Sequence, residues 1–415
     1  MKELFLINDT PANRISYYHI LLFLLLLPYD LFFTGLILIS FAVHTLLHSK
    51  ANAWKAVFGG KVLALQAVFL VLLAGTAYAP SIRTAIDDCS RQVSIFVFPL
   101  LLGITTLDLR RYRQRLLSVF AAGVTFTILW LFYNAVVLAR AEGLPVSGLF
   151  SAAFTNQNFS RPIDIHATYL SIYVSVAFIH FLFLLFTQKE KWRRVLCAVC
   201  CLVLLGGLLQ LASRSVCIAT GILVNLAFPW LALKGKMRLY FISASLLVSA
   251  TLFIIINRTE AFHERYVRDF AEEMGTGRST SVDEEPRVAR WEVAMELVKK
   301  RPVLGYGTGS EIPLLRDAYY RNKLFTSYLN SLNAHNEYLS LLIQTGLAGL
   351  LVYIAALFYL FRQSLARRDI VFFTCVFLVA IVSVSENILD VNKGIFFYAF
   401  FPSFLLFADA KNRKK

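Results

Sequence analysis

Arg214, Arg287, Arg290, His166 and His335 are the residues of this sequence whose types and places could do chemistry. Arg214 sits in LASRSVC (211–217), a turn so short that its guanidinium must lie at or just under a membrane boundary. An ionised group at that depth is costly and marks function by default, whereas a snorkelling arginine only marks the interface. The flanking Ser213 and Ser215 add hydroxyls that a lipid-facing snorkeller does not need, which favours function. Arg287 and Arg290 are three apart on one predicted helix and share a face. Planar guanidinium groups pair with phosphate through two parallel hydrogen bonds, so the pair could clamp a diphosphate. The other reading is a solvated basic face paired with Glu284 or Glu285.

His335 opens the tenth long apolar run, where Asn333 could cap the helix. The positive end of a helix dipole disfavours a protonated ring there, and a neutral imidazole can take a proton from a hydroxyl as general base. His166, in RPIDIHATYL (161–170), holds a similar position before the sixth run. A boundary histidine can equally be structural, and that reading stays open for both. GYGTGS (305–310) looks like a phosphate-cradling loop without the Lys-Ser/Thr ending of a P-loop. Gly305 and Gly307 are read as allowing a tight turn or close backbone approach to a ligand. No Asp-x-Asp, HExxH or Cys/His metal pattern occurs, and no cofactor is called for. Most of the six cysteines lie in apolar runs, so CAVCC (197–201) reads as packing rather than a metal site or disulfide framework.

The elements that must carry these residues are membrane helices. The 415 residues are 58% hydrophobic and 16% charged, and apolar runs recur at near-spanning length. The expected class is an all-α polytopic membrane protein of about twelve spans. They fall near 15–28, 30–47, 60–79, 92–107, 115–138, 165–187, 192–212, 216–233, 237–256, 336–361, 369–386 and 391–408. Pro28 and Asp30 turn the first long run into a hairpin. The N-terminus lacks the order of a cleaved signal, so the first span is expected to direct insertion. Three parts result: spans one to nine (1–256), a polar insert (257–335), and the last three spans with the basic KNRKK tail (336–415).

The formal charge of +15 does not indicate nucleic acid, because the cations sit mainly in short loops between apolar runs. With a cytoplasmic N-terminus, 23 Lys and Arg fall on the cytoplasmic side and only six in the short outer loops. Both termini are then cytoplasmic, and the insert faces outward together with Arg91, Arg161, His166, Arg214 and His335. ATP is absent on that side, so a transferase there needs an already activated donor. Within the insert, 258–274 looks helical, 275–286 is a turn-rich linker, and a third helical piece runs from about 312 to 325. A helix over about 287–300 places Trp291, Ala294, Met295 and Val298 on one face and stops before Pro302. These pieces are expected to lie on the membrane surface or cover an outer cavity.

An SRS turn opening a span, RVARW (287–291) before PVLGYGTG (302–309), and AHNEYL (334–339) running into LIQTGLAG (342–349) together resemble the O-antigen ligase family. The resemblance covers about 200 to 350; the flanking spans match in hydropathy and number only. It implies a metal-independent, inverting glycosyltransferase of the membrane GT-C type in the bacterial inner membrane. Such enzymes move a glycan from undecaprenyl diphosphate to an acceptor hydroxyl on the periplasmic side, for the ligases a sugar of the lipid A core. Arg214 matches the arginine of the SR turn, Arg287 the arginine four residues before the tryptophan, and His335 the histidine of the HN-x-YL motif. The implied roles are general base for His335 and diphosphate binding for Arg214 and Arg287. Arg290 has no counterpart and is held as a helper. Arg91, Arg161, His166, Asn336, Gly305 and Gly307 complete the expected substrate-binding set, with membrane lipids as surroundings. A polysaccharide polymerase or a protein O-oligosaccharyltransferase shares these motifs, and a transporter or flippase for an anionic lipid is the alternative of another class.

Overall fold

The computed structural model describes residues 6–29, 31–268, 271 and 285–409. Every regular element among them is helical, so the class is all-α. In chain order the main helices are α1 (Pro11–Leu26), α2 (Leu31–His48), α3 (Gly60–Gly75), α4 (Ile82–Gln92), α5 (Ser94–Ile104), α6 (Leu109–Ala141), α7 (Ala167–Thr187) and α8 (Lys191–Leu211). They continue with α9 (Arg214–Ile222), α10 (Phe228–Ala232), α11 (Gly235–Arg258), α12 (Arg287–Lys300), α13 (Glu311–Arg321), α14 (Phe325–Leu329), α15 (Glu337–Arg367), α16 (Ile370–Val382) and α17 (Asn392–Phe407). A π-helical turn, Leu223–Ala227, joins α9 to α10. Most of the expected linker at 275–286 and the KNRKK tail lie outside the described residues.

Each of the twelve apolar runs contains a helix, but the helices are not twelve uniform spans. Among the described residues, seven are long and apolar enough to cross a membrane: Gly60–Tyr78, α6, α7, α8, Arg214–Ala232, α11 and α15. Phe32–His48, α16 and α17 are apolar but shorter. The chain is thus a multi-pass membrane protein whose inner helices are short. The 11 residues of α5 reach only about 16 Å. Burial explains how short helices persist: α17 is enclosed almost all round, with Phe397, Phe400, Phe401 and Phe404 packed into one aromatic core with Phe98 and Phe120. The buried Lys393 at its start donates to Leu27 O at 2.8 Å and Tyr29 O at 2.5 Å, and so pins the α1–α2 turn. α11 is the opposite case, with 6% of its most apolar window buried, as a helix facing lipid requires.

The insert has a small core of its own. Val293, Ala294, Leu297 and Val298 of α12 meet Leu315, Ala318 and Tyr319 of α13 and Ile343 of α15. The buried face of α12 therefore runs through Val293 and Leu297, and Met295 is exposed, contrary to the expected face. The physical reason is that α12 packs against two helices and needs a wider apolar stripe than one interface would. The third helical piece is divided into α13 and α14, and 258–268 forms a short helix, Glu260–His263, with a π turn, Glu264–Arg268.

α15 is broken at Gly346, whose φ of 64° and ψ of −160° interrupt the helix. The glycine loop after α12 repairs the break. Tyr306 N donates to Ile343 O and Gly307 N to Gln344 O, while Leu347 N and Ala348 N donate to Pro302 O and Val303 O. Irregular backbone at membrane depth persists only where such bonds replace the helical ones. Gly305 (φ 66°) and Gly346 have no room for a side chain, since a Cβ at Gly305 would run into the backbone of Ile343 and Gln344 and one at Gly346 into that of Val303.

Candidate active site

α7, α8, Arg214–Ala232 and α11 alternate in direction, as do α15 and α16, so the start of α7, the start of α9, the insert, the start of α15 and the turn before α17 meet at one end. At that end His335 sits just before α15 in a left-handed conformation, φ 46°. This position is fixed from all sides. Asn333 Oδ1 accepts the His335 amide at 3.0 Å, Trp291 Nε1 donates to Ala334 O at 2.9 Å, and Ala334 N donates to Glu311 Oε1 at 2.9 Å. The helix cap is Asn336, whose Oδ1 accepts from Leu339 N at 3.2 Å; the expected cap, Asn333, acts one turn too early for that. Asn336 N donates to Asn387 Oδ1 at 2.7 Å, and Glu337 N to Ser383 O at 2.8 Å, so the histidine loop is fastened to the turn between α16 and α17.

That turn supplies a carboxylate. Glu386 Oε2 lies 3.3 Å from His335 Nδ1, and its Oε1 lies 3.9 Å from Arg287 Nη2. Arg287 Nη1 also donates to Ser385 O at 2.9 Å. Burial alone would raise the Glu386 pKa, but the bond from His335 and the charges of His335, Arg287 and His166 hold it below the ordinary glutamate value. The carboxylate is therefore an anion placed to accept from Nδ1–H, so that Nε2 is the ring nitrogen left for another partner. His335 is 30% exposed and Glu386 12%, an accessible ring on a shielded carboxylate.

His166 is the N-cap of α7, with Nδ1 accepting from Thr168 N at 3.3 Å. Although its surface is open, surrounding protein lowers its pKa; Glu386 pulls the other way, and His335, Arg287 and Arg265 add to the lowering. With Nδ1 an acceptor, a neutral His166 carries its proton on Nε2 and is suited to donate rather than to act as base.

Arg214 stands at the adjoining edge. It lines a cavity of about 540 Å³ that runs between α7, α8, α9 and α11 and is walled mainly by Leu, Val, Ile and Phe. Tyr266 lies at the same end, its hydroxyl donating to Leu209 O at 3.2 Å and contacting Cys217 Sγ at 3.4 Å. The charges of Arg265 and Arg214 both act on that hydroxyl, and Arg265 also acts on His166. Ser213 Oγ, beside Arg214, donates to Thr168 Oγ1 at 3.3 Å.

The other expected residues lie elsewhere. Arg290 is buried, with its charge acting on Tyr319, whose hydroxyl donates to Asn333 O at 3.4 Å. Arg161 is exposed in the turn Arg161–Ile163 before α7. Arg91 pairs with Asp88 and, at 3.0 Å, with Asp390. The amides of Tyr306, Gly307, Thr308 and Gly309 all donate to protein oxygens, so the close approach that the glycines permit is to α15 and α3. Glu386, Glu311 and Asn387 were not singled out from the sequence. The usable signal was an acidic residue in the short turn SENILD (385–390) between two apolar runs. Among the described residues no group of three or more His, Cys, Asp or Glu could hold a metal ion.

The O-antigen ligase family model matches residues 167–354, from the first turn of α7 to the middle of α15. No curated protein matches the chain. The matched segment contains Arg214, Arg287 and His335 and stops short of Glu386. This segment, 188 of the 415 residues, is similar to the O-antigen ligase family.

Proposed function

We propose that the protein is an O-antigen ligase that transfers a glycan from undecaprenyl diphosphate to a hydroxyl of lipid A-core oligosaccharide, at the periplasmic face of the inner membrane. The observation that carries this reading is the His335–Glu386 contact, with Arg287 beside the same carboxylate; an apolar cavity with Arg214 in its wall supports it. His335 Nε2 takes the proton of the acceptor hydroxyl as its oxygen attacks the anomeric carbon. The bond from that carbon to the diphosphate breaks on the opposite face, the electron pair leaves with the lipid diphosphate, and the configuration inverts. Glu386 holds the ring and stabilises the imidazolium that forms, as a buried carboxylate does behind a catalytic histidine. Arg287 and Arg214 offset the charge that gathers on the leaving group, which matters most in the transition state. The cavity between α7 and α11 has an apolar lining suited to part of a polyprenyl tail, with Arg214 in its wall.

The test is transfer by the purified protein from lipid-linked donor to lipid A-core, in the presence of a chelator. Product that forms with wild type and is lost with His335→Gln supports the reading. Transfer only between two lipid-linked repeats identifies a polymerase, transfer that needs added Mg²⁺ or Mn²⁺ overturns metal independence, and binding of donor with no bond formed indicates a lipid carrier.

A further inference from the structure

Glu311, the first residue of α13, is only 5% exposed, and its carboxylate accepts from three separate segments. Oε1 takes Ala334 N at 2.9 Å and Asn387 Nδ2 at 3.0 Å, while Oε2 takes Asn387 Nδ2 at 3.1 Å and the Ser340 hydroxyl. Ala334 directly precedes His335, and Asn387 directly follows Glu386. One buried side chain therefore holds together the two segments whose side chains make the 3.3 Å His335–Glu386 contact, 51 residues apart in the chain.

Asn387 closes the clasp from the other side. It is 2% exposed, and its Oδ1 accepts Asn336 N at 2.7 Å while its Nδ2 reaches Glu311. The consecutive amides of Ala334, His335 and Asn336 thus end on the side chains of Glu311, Asn333 and Asn387. The residue in the middle needs this. His335 has φ 46°, and a left-handed residue other than glycine keeps that conformation where its surroundings over-determine it. Both bracing bonds end on Oε1, an oxygen with two lone pairs, so what the brace requires there is an acceptor rather than a charge. A loop freed of them no longer holds the ring against Glu386, and a displacement of about 1 Å at a reacting group can cost about a hundredfold in rate.

We propose that Glu311 is a positioning residue for the transfer site: through Ala334 and Asn387 it sets the spacing between His335 and Glu386. Its effect on rate rests on the transfer reading above; its bracing of the two segments does not. Removing it should slow turnover and leave donor binding by Arg214 and Arg287 in place, because those arginines stand on α9 and α12.

The experiment measures donor affinity and turnover of the full chain in lipid nanodiscs, with lipid-linked donor and lipid A-core. Glu311→Met keeps the volume and removes the acceptor, so kcat should fall by about thirtyfold or more while donor affinity stays within about threefold of wild type. Glu311→Gln restores an oxygen at the Oε1 place and should recover most of the lost turnover. In a Glu386→Gln background the methionine change should cost no more than about threefold further, since the spacing it sets has lost its charged partner. Asn387→Ala should reproduce this pattern, and it carries the test if Glu311→Met does not fold. An unchanged kcat, the same loss in both backgrounds, or a matching loss of donor affinity overturns the proposal. If wild type transfers nothing, the transfer reading falls and melting temperatures judge the brace. Combining Glu311→Met with Asn387→Ala should then lower the melting temperature no further than the worse single change, and additive losses overturn the brace.

Discussion

Glu386 Oε2 lies 3.3 Å from Nδ1 of His335, and the two residues come from turns at the start of α15 and between α16 and α17. In the proposed transfer, the contact leaves Nε2 as the nitrogen to act as base. Glu386→Gln keeps the shape and removes the charge, so transfer should fall by about a hundredfold or more while donor binding is retained. Single-turnover rates beside donor-binding isotherms would check it. An unchanged rate would remove Glu386 from the mechanism.

Arg287→Lys tests the fork rather than the charge. A lysine cannot hold Ser385 O and face Glu386 and a phosphate together, so activity should drop by about tenfold or more even though the charge is kept. Recovery of most activity in the lysine variant would show that a point charge suffices.

Gly221 lines the apolar cavity, and a Cβ built on it meets nothing within 4 Å. Gly221→Leu should fold well, since leucine is the better helix former by nearly 1 kcal/mol. By filling the cavity it should raise KM several-fold for a donor with a long polyprenyl tail and leave a short-tailed analogue unaffected. Equal effects on both donors would place the tail elsewhere.

Glu311 is buried and its pKa is pushed up from 4.5 to about 7, mainly by that burial, against the bonds from Ala334, Ser340 and Asn387. The folded state then binds a proton that the unfolded state has lost between those values. Stability is full below about 4.5 and declines as the pH rises to about 7, by up to about 3 kcal/mol. Melting temperature against pH should slope downward over that window in wild type and lose much of the slope in Glu311→Gln. A slope unaltered in the variant would assign it to another group.

The helices were legible because apolar runs bounded by charge need no tertiary information. The all-helical class and the place of His335 at the head of a long helix followed from that pattern. What stayed hidden depends on contacts between distant segments. Arg91 looked like one more outward cation until Asp390 came beside it. Glu386 was absorbed into the end of an apolar run, because its partners lie in the insert and before α15. Asn333 and Asn336 are both plausible caps by type, and only the left-handed turn at His335 decides between them. Met295 was misplaced because helical spacing does not tell how many neighbours a helix has.

Gly346→Ala should be among the most damaging small changes in the chain. Its positive φ and the Val303 backbone beside it leave no place for a methyl group, so a loss of about 2–4 kcal/mol and a lower melting temperature are expected. Size-exclusion profiles and thermal unfolding in detergent measure this, and a wild-type melting curve would contradict it.

The stitched break at Gly346 divides α15 into two pieces with different allegiances. Its first nine residues are bonded and packed to the insert, and its remainder runs on among the apolar helices. The arginine of α12 and the histidine before α15 therefore ride on one shared platform, which is fastened to the turn between α16 and α17. A shift of that platform would carry Arg287 and His335 together.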